Sequence, residues 1–286
     1  SALSRAFSGE TAFETFEIYL QEVLNKIRPR RLMLMLDEFD KLQEGIDSGI
    51  TSPQTPENIR YLLHAYSDLS AILTGSRRLK RLREEYWSAL FGFGYRIEVG
   101  ALPLKDAQEL VTQPVKDHLV FVPQARDRVV ELCACHPFLI QSLCNRIFEY
   151  AVRTNERTIT LNAVKTAAEE MVHDNEHFRT LWGYAGTERR RLVLALFRRF
   201  LDHPIPITIN FLETKLEELG VIIPARERLG NDIEFLRELE LIKMDKTIKE
   251  SVYQLAVPLM GDWIQRNIDF ESSRLSAVRE GQEKDI

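Results

Sequence analysis

Apolar residues first recur at helical spacing: Phe13, Phe16, Leu20, Leu24 and Ile27 follow a capping-box pair, Thr11 and Glu14, and stop before Pro29, predicting one long amphipathic helix. The period then disappears. Leu32 to Leu36 is a continuous apolar run bounded by charges, the pattern of a strand buried on both faces of a parallel sheet, and it ends abruptly at Asp37-Glu38. Glu44 to Pro56 collects glycines, serines and prolines and reads as a loop, with Thr55-Pro56 as cap and first turn of a helix reaching about Tyr66. Leu69 to Thr74 and Tyr95 to Val99 read as a second and a third strand. Helix and strand thus alternate, which predicts an α/β layer with a parallel sheet.

Beyond Leu102 the strand patterns stop. Leu104 to Val111, Pro123 to Cys133, Pro137 to Val152 and Leu161 to Val172 have helical spacing and predict a small all-helical unit. Near Thr187 a third unit begins, with helices expected at 188–202, 208–219 and 229–240. Leu241 to Val257 then alternates about Asp245-Lys246 as a β-hairpin would. Three helices followed by a hairpin are the layout of a winged-helix (α+β) domain. The expected division is 1–100, 101–172, 173–270 and a frayed, flexible tail at 271–286.

Composition narrows the function classes. A net charge of -5 provides no global field to draw the chain onto nucleic acid or an anionic membrane, and 44% apolar residues suffice for ordinary cores. No apolar stretch approaches a bilayer span and no basic-then-apolar signal opens the sequence, so a cytoplasmic location without membrane contact is expected. Cys133, Cys135 and Cys144, beside His136, invite a zinc reading. They fall on apolar helical segments, which favours their role as small buried hydrophobes.

The chemistry concentrates at the strand ends. A buried parallel strand delivers its last residues to the carboxyl edge of the sheet, where α/β proteins bind ligands. Asp37 would there stand where a hydrated Mg²⁺ can be held, and Glu38 where a water can be polarised toward a γ-phosphate. The second strand ends in Thr74-Gly75-Ser76-Arg77-Arg78. Its hydroxyls can orient a water or a phosphate and its guanidinium groups can compensate phosphate charge. The bland alternatives are two solvated carboxylates and a turn with a solvated arginine pair.

With these residues in this order the chain resembles the P-loop NTPases of the AAA+ and STAND classes, the STAND-like bacterial and archaeal ATPases in particular. The resemblance extends over residues 11 to 268. It implies a partial P-loop NTPase core, a helical lid and a winged helix, with ATP and Mg²⁺ as cofactors. Asp37-Glu38 resembles the Walker B element, with Asp37 on the Mg²⁺ side and Glu38 as catalytic carboxylate. Thr74, Ser76 and Arg77 resemble the sensor 1 position, where Gly75 leaves open which hydroxyl is the sensor. Gly100 to Leu104 resembles the lid entry. Cys135-His136-Pro137-Phe138-Leu139 is similar to a Gly-His-Pro type element, making His136 and Pro137 nucleotide-contact candidates. Arg77, Arg78 and Arg81 are equal candidates for an arginine finger, since the resemblance implies self-association through the core.

One departure stands out: no Gly-x-x-x-x-Gly-Lys-Ser/Thr occurs in the 286 residues. The P-loop is expected to lie outside them, and a core without its central strand should expose strand edges and apolar surface. The runner-up is a degenerate, non-hydrolysing scaffold.

Two active roles follow from the resemblance. One is a STAND-type signalling switch, in which nucleotide held between core and lid sets the winged-helix position for an effector or sensor protein outside this segment. The other is a DNA-handling ATPase of the origin-recognition initiator type. From Arg226 to Glu240, across the third helix, three arginines face five carboxylates, which disfavours phosphate contact there. Arg189, Arg190, Arg191, Arg198 and Arg199 on the first helix are either a phosphate-backbone contact or a solvated or docking face, the second being favoured.

Overall fold

The computed structural model describes residues 12–39, 41–75, 94–95, 97, 99–173, 176–224, 227–246 and 251–284. They fall into two compact units, residues 1–97 and 98–286.

In the first unit, helix α1 (Ala12–Ile27) precedes strand β1 (Leu32–Leu36). Helices α2 (Lys41–Asp47) and α3 (Thr55–Ala65) and strand β2 (Leu69–Leu73) follow. The strands pair in parallel from Leu32↔Leu69 to Leu36↔Leu73. Leu20 and Leu24 of α1, Leu62 of α3 and Leu69 of β2 form a buried core against Leu32 and Leu34. A smaller cluster seats Phe39 among Leu36, Leu42, Ile59 and Leu73. Thr55 is the first residue of α3 and Gln54 its cap, one position before the expected cap.

Three expectations are corrected here. Strand β1 is covered on one face, because both helices of the core pack against the Leu32 and Leu34 side. The opposite face leaves Met33 55%, Met35 73% and Ile72 43% exposed. Part of the expected loop after Glu44 is helical. Gln43 Nε2 donates to Asp47 Oδ1 (2.7 Å) across one turn of α2, while the amides of Ile50 and Thr51 return to the Gly45 carbonyl (2.9 Å each). Gly45 is needed for that return, since a Cβ there would lie 2.6 Å from Thr51 Oγ1. Of the expected third strand, Arg96 and Glu98 lie outside the described residues, and the described Tyr95, Ile97 and Val99 are exposed and in no strand. A strand requires a neighbour's ladder, and β1 and β2 pair only with each other among the described residues.

The second unit opens with helix α4 (Leu104–Thr112) and a 3₁₀ turn (Gln113–Val115). Strand β3 (Val120–Phe121), helices α5 (Pro123–Leu132) and α6 (Pro137–Thr154), strand β4 (Thr158–Ile159) and helix α7 (Leu161–His173) complete the predicted helical stretch. It is not all-helical, for β3 and β4 pair in parallel. Helix α8 (Glu176–Tyr184) was not signalled by the sequence pattern.

Helices α9 (Glu188–Arg199), α10 (Ile209–Glu218) and α11 (Leu229–Glu238) then precede an antiparallel hairpin, β5 (Ile242–Lys246) and β6 (Ser251–Leu255). Thr187 and Thr208 cap α9 and α10, their hydroxyls accepting from Arg190 N and Phe211 N. Asp245 and Lys246 lie inside β5, not at a turn, and residues 247–250 lie outside the described residues. The Asp245 carboxylate accepts from Gln254 Nε2 across the ladder (2.6 Å).

Helices α12 (Pro258–Asn267) and α13 (Phe270–Lys284) end the described chain. The expected division at 172/173 falls within one continuous core running from Ala107 to Ala277. Trp263 of α12 stacks near Phe178 and Trp182 of α8 (6.4 and 6.1 Å), and Asn267 Nδ2 donates to the Val172 carbonyl (3.0 Å).

The expected frayed tail is mostly helix, because α13 buries Ala277 and is held at both ends. Arg199 covers the Phe270 ring at 4.3 Å, and Glu280 Oε2 accepts from the Arg189 amide (3.1 Å). Gly281 lets this helix approach the chain at Ile222, whose carbonyl oxygen would lie 2.9 Å from an added Cβ. Gly281→Ala is therefore expected to lose about 1–3 kcal/mol of stability in chemical denaturation. An unchanged midpoint would show that α13 does not need this approach.

Candidate active site

The register Leu36↔Leu73 brings the chain just past β1 beside the chain just past β2. Thr74 N donates to the Leu36 carbonyl and Phe39 N to the Thr74 carbonyl, both at 2.9 Å, so backbone bonds fix the two ends together. The Thr74 hydroxyl donates to Asp37 Oδ1 in a short hydrogen bond, and the Glu38 amide donates to the same oxygen at 2.9 Å. The Thr74 bond first and the Glu38 amide second hold the Asp37 carboxyl below the usual carboxylate range. Both of these bonds fall on Oδ1 of an exposed carboxylate, a group type that suits a hard, partly hydrated cation.

The sequence leaves the choice of hydroxyl open, and among the described residues Thr74 reaches Asp37. Ser76 and Arg77, with Arg78 and Arg81, lie outside the described residues. Thr74→Val is expected to move the Asp37 titration midpoint up toward the ordinary carboxylate range, measured by carboxyl ¹³C NMR. No upward movement would mean the hydroxyl does not support the charge.

Glu38 has a left-handed backbone (φ 50°), uncommon for a residue that carries a Cβ, and its carbonyl accepts from Lys41 N at 2.9 Å. Its carboxylate is paired with Lys41 Nζ at 2.5 Å. Between them Phe39 is buried and anchors the turn to Leu36 and Leu73. Neither Phe39 nor Lys41 stands out in the sequence pattern. The available signal was an aromatic residue directly after the carboxylate pair, where a purely solvated turn would carry polar groups.

His136 and Pro137 lie in the second unit. His136 is the residue before α6 and Pro137 its first residue, so the helix-starting role expected of Pro137 is realised. The approach is tight: Ala134 and Cys135 are both left-handed (φ 48° and 59°), and the Cys135 carbonyl accepts from Leu102 N at 3.0 Å. The His136 ring is 6.5 Å from both Phe138 and His177, and the exposed Phe138 ring is 4.9 Å from His177. Asp37, Glu38 and Thr74 thus form one cluster in the first unit, and His136 and Pro137 belong to another in the second.

Burial pushes the Cys133 thiol up and raises Cys144 to about 12, so both remain protonated and act as core groups at neutral pH. Among the described residues no group of three or more His, Cys, Asp or Glu is placed to hold a metal, and no helix is long and apolar enough to cross a membrane.

The arginines of α9 are engaged within the second unit. Arg189 donates through Nε to Asp232 Oδ2 and through Nη2 to Glu227 Oε2, each at 2.6 Å, and Arg190 Nε donates to Asp232 Oδ1 at 2.7 Å while stacking 3.7 Å over Phe235. Arg191 pairs with Glu188, and Arg198 contacts Asp202 and Gln265.

No family model matches the sequence, and no curated protein matches it. Solved structures do. The Aeropyrum pernix ORC2 protein, in ADPNP-ADP complexes, matches 96% of this chain over 71% of its own, with a TM-score of 0.56 and 14% identity. More distant likenesses are the Aeropyrum pernix ORC1 protein in complex with DNA (TM-score 0.44, 15% identity, 91% of this chain, 70% of that one) and the Thermotoga maritima RuvB Holliday junction branch migration motor (0.39, 13%, 82% and 70%). At such identity the likeness is one of fold. The fold shared with the ORC2 protein is α/β followed by a mainly helical region.

Proposed function

We propose that this chain is part of an ATP-dependent AAA+-type ATPase with the origin-recognition architecture, acting as a nucleotide-driven switch. The observation that carries the reading is the Thr74–Asp37 contact at adjoining parallel strand ends, next to Glu38. In this proposal Asp37 holds a hydrated Mg²⁺, Thr74 acts as sensor, and Glu38 orients and deprotonates the attacking water. Mg-ATP supplies the transferable phosphoryl group and the cation that neutralises its charge. The phosphate-binding loop comes from sequence outside these 286 residues, and its strand and flanking segment cover the exposed Met33, Met35 and Ile72 face. His136 and Pro137 are the nucleotide-contact candidates of the second unit in this reading, and α9 to α11 with the β5–β6 hairpin serve as its winged helix. Self-association through the core and a cytoplasmic location belong to the same reading.

The similarity in fold to the ORC2 protein favours the initiator architecture over the STAND class that the sequence resemblance put first. A specific observation keeps the signalling switch as a second reading. Arg189, Arg190 and Arg191 of α9 are occupied by Asp232, Glu227 and Glu188, and α11 has an acidic surround, so these three guanidinium groups are already engaged by carboxylates rather than offered to phosphates. Duplex-DNA binding by the complete natural protein with Mg-ATP separates the two: the initiator role requires affinity that falls steeply with salt, whereas no binding at low salt leaves a protein effector as the partner.

A further inference from the structure

We propose that helix α6 carries a self-pairing seam, through which two copies of this chain join as an antiparallel, two-fold symmetric helix pair. One face of α6, with Leu139, Leu143 and Ile147, is buried in the core of the second unit. On the other face Phe138, Gln141, Asn145, Phe148 and Val152, all exposed, recur at alternating steps of three and four, the spacing of a helix-pairing seam. A solvated helix face carries charges. This stripe carries none, and Phe138, Phe148 and Val152 are 50%, 39% and 67% exposed.

The stripe matches its own copy. With α6 laid antiparallel on a second α6 about an axis at the level of Leu143, Phe138 of one copy meets Phe148 of the other, and Gln141 meets Asn145. Each layer then joins apolar to apolar or amide to amide. Shifting the register to bring Gln141 onto Val152 and Asn145 onto Phe148 buries amides against apolar groups, which singles out the matched register. The flank is neutralised within each copy: Glu149 accepts from Asn145 Nδ2 on Oε1 (3.0 Å) and from Arg146 Nη1 on Oε2 (3.2 Å), so like copies meet without like-charge repulsion. That orientation of Asn145 leaves its carbonyl oxygen to accept from Gln141 of the other copy. Antiparallel alignment also sets the two helix dipoles in opposition, which a parallel pair does not. From Phe138 to Phe148 the seam is about 15 Å long, short of a standard interface, so the pair is weak and half-formed at about 10–100 μM chain.

Sedimentation velocity of the complete natural protein without nucleotide, over a concentration series, tests the pairing, each variant being checked for an unchanged melting temperature. Phe148→Glu is expected to raise the dimer dissociation constant about a hundredfold, roughly tenfold for each of its two symmetric layers. Val152→Glu should leave that constant within about threefold, because Val152 falls beyond the last layer. Mixed Gln141→Cys and Asn145→Cys chains, with Cys135 and Cys144 replaced by serine, should form an interchain disulfide under mild oxidation that neither forms alone. A protein that stays monomeric throughout the series, or a dimer that Phe148→Glu leaves intact, overturns the proposal. So does a disulfide formed by Gln141→Cys chains alone, the mark of a parallel pair.

Discussion

Glu38→Gln in the complete natural protein is expected to lower Mg-ATP turnover by about two to four orders of magnitude while nucleotide affinity stays within a few-fold. The amide is nearly the same size as the carboxylate but cannot accept the proton of an attacking water. Glu38 is exposed, paired only at the surface, and set on a turn whose anchor is the neighbouring Phe39, so the substitution should leave the fold and the Asp37–Thr74 contact in place. Asp37→Asn should behave differently, weakening Mg²⁺-dependent binding as well as turnover. Single-turnover hydrolysis and equilibrium binding of labelled ATP separate these effects. If both variants turn over like the wild type, the strand-end carboxylates are solvated groups without a role in hydrolysis.

Asp232→Ala should destabilise the second unit by about 3–5 kcal/mol, lowering its thermal midpoint by about 10 °C. Asp232 is 2% exposed and accepts from both Arg189 and Arg190, and the Arg189 side chain is 8% exposed. Removing the carboxylate strands two guanidinium groups in a largely dry site, with Glu227 as the remaining partner of Arg189. The loss should be read by circular dichroism in thermal and denaturant unfolding. A cost below about 1 kcal/mol would mean water reaches these arginines freely, and they would then again be available as phosphate contacts.

Much of this architecture was legible in the sequence because period and punctuation agree. The 3.6-residue spacing from Phe13 to Ile27, the unbroken Leu32 to Leu36 run and the proline-opened helices at Pro123, Pro137 and Pro258 each combine a hydrophobic pattern with a local start or stop. The errors lie where long-range contacts decide. An apolar run cannot report whether one face or both are covered, so Met33 and Met35 were read as buried although they are exposed. Helix α13 has weak periodicity, and its order comes from α9 through Arg199, Phe270 and Glu280. The fate of the arginine run on α9 was equally unreadable, because Glu227 and Asp232 lie about forty residues away.

At the candidate site the residue types were legible and their contacts were not. Asp37 and Glu38 follow from the abrupt end of an apolar strand. The contact of Thr74 with Asp37 depends on the parallel register, which brings the two strand ends together.

In the proposed function, Asp37, Thr74 and Glu38 serve a nucleotide site completed by a phosphate-binding loop that is not among these 286 residues. Calorimetric titration of Mg-ATP into the complete natural protein, alongside the 286-residue chain alone, decides whether that site exists. The expected result is one saturable site per complete chain and none on the shorter one. Absence of binding by the complete protein, or equal affinity of the shorter chain, would contradict it.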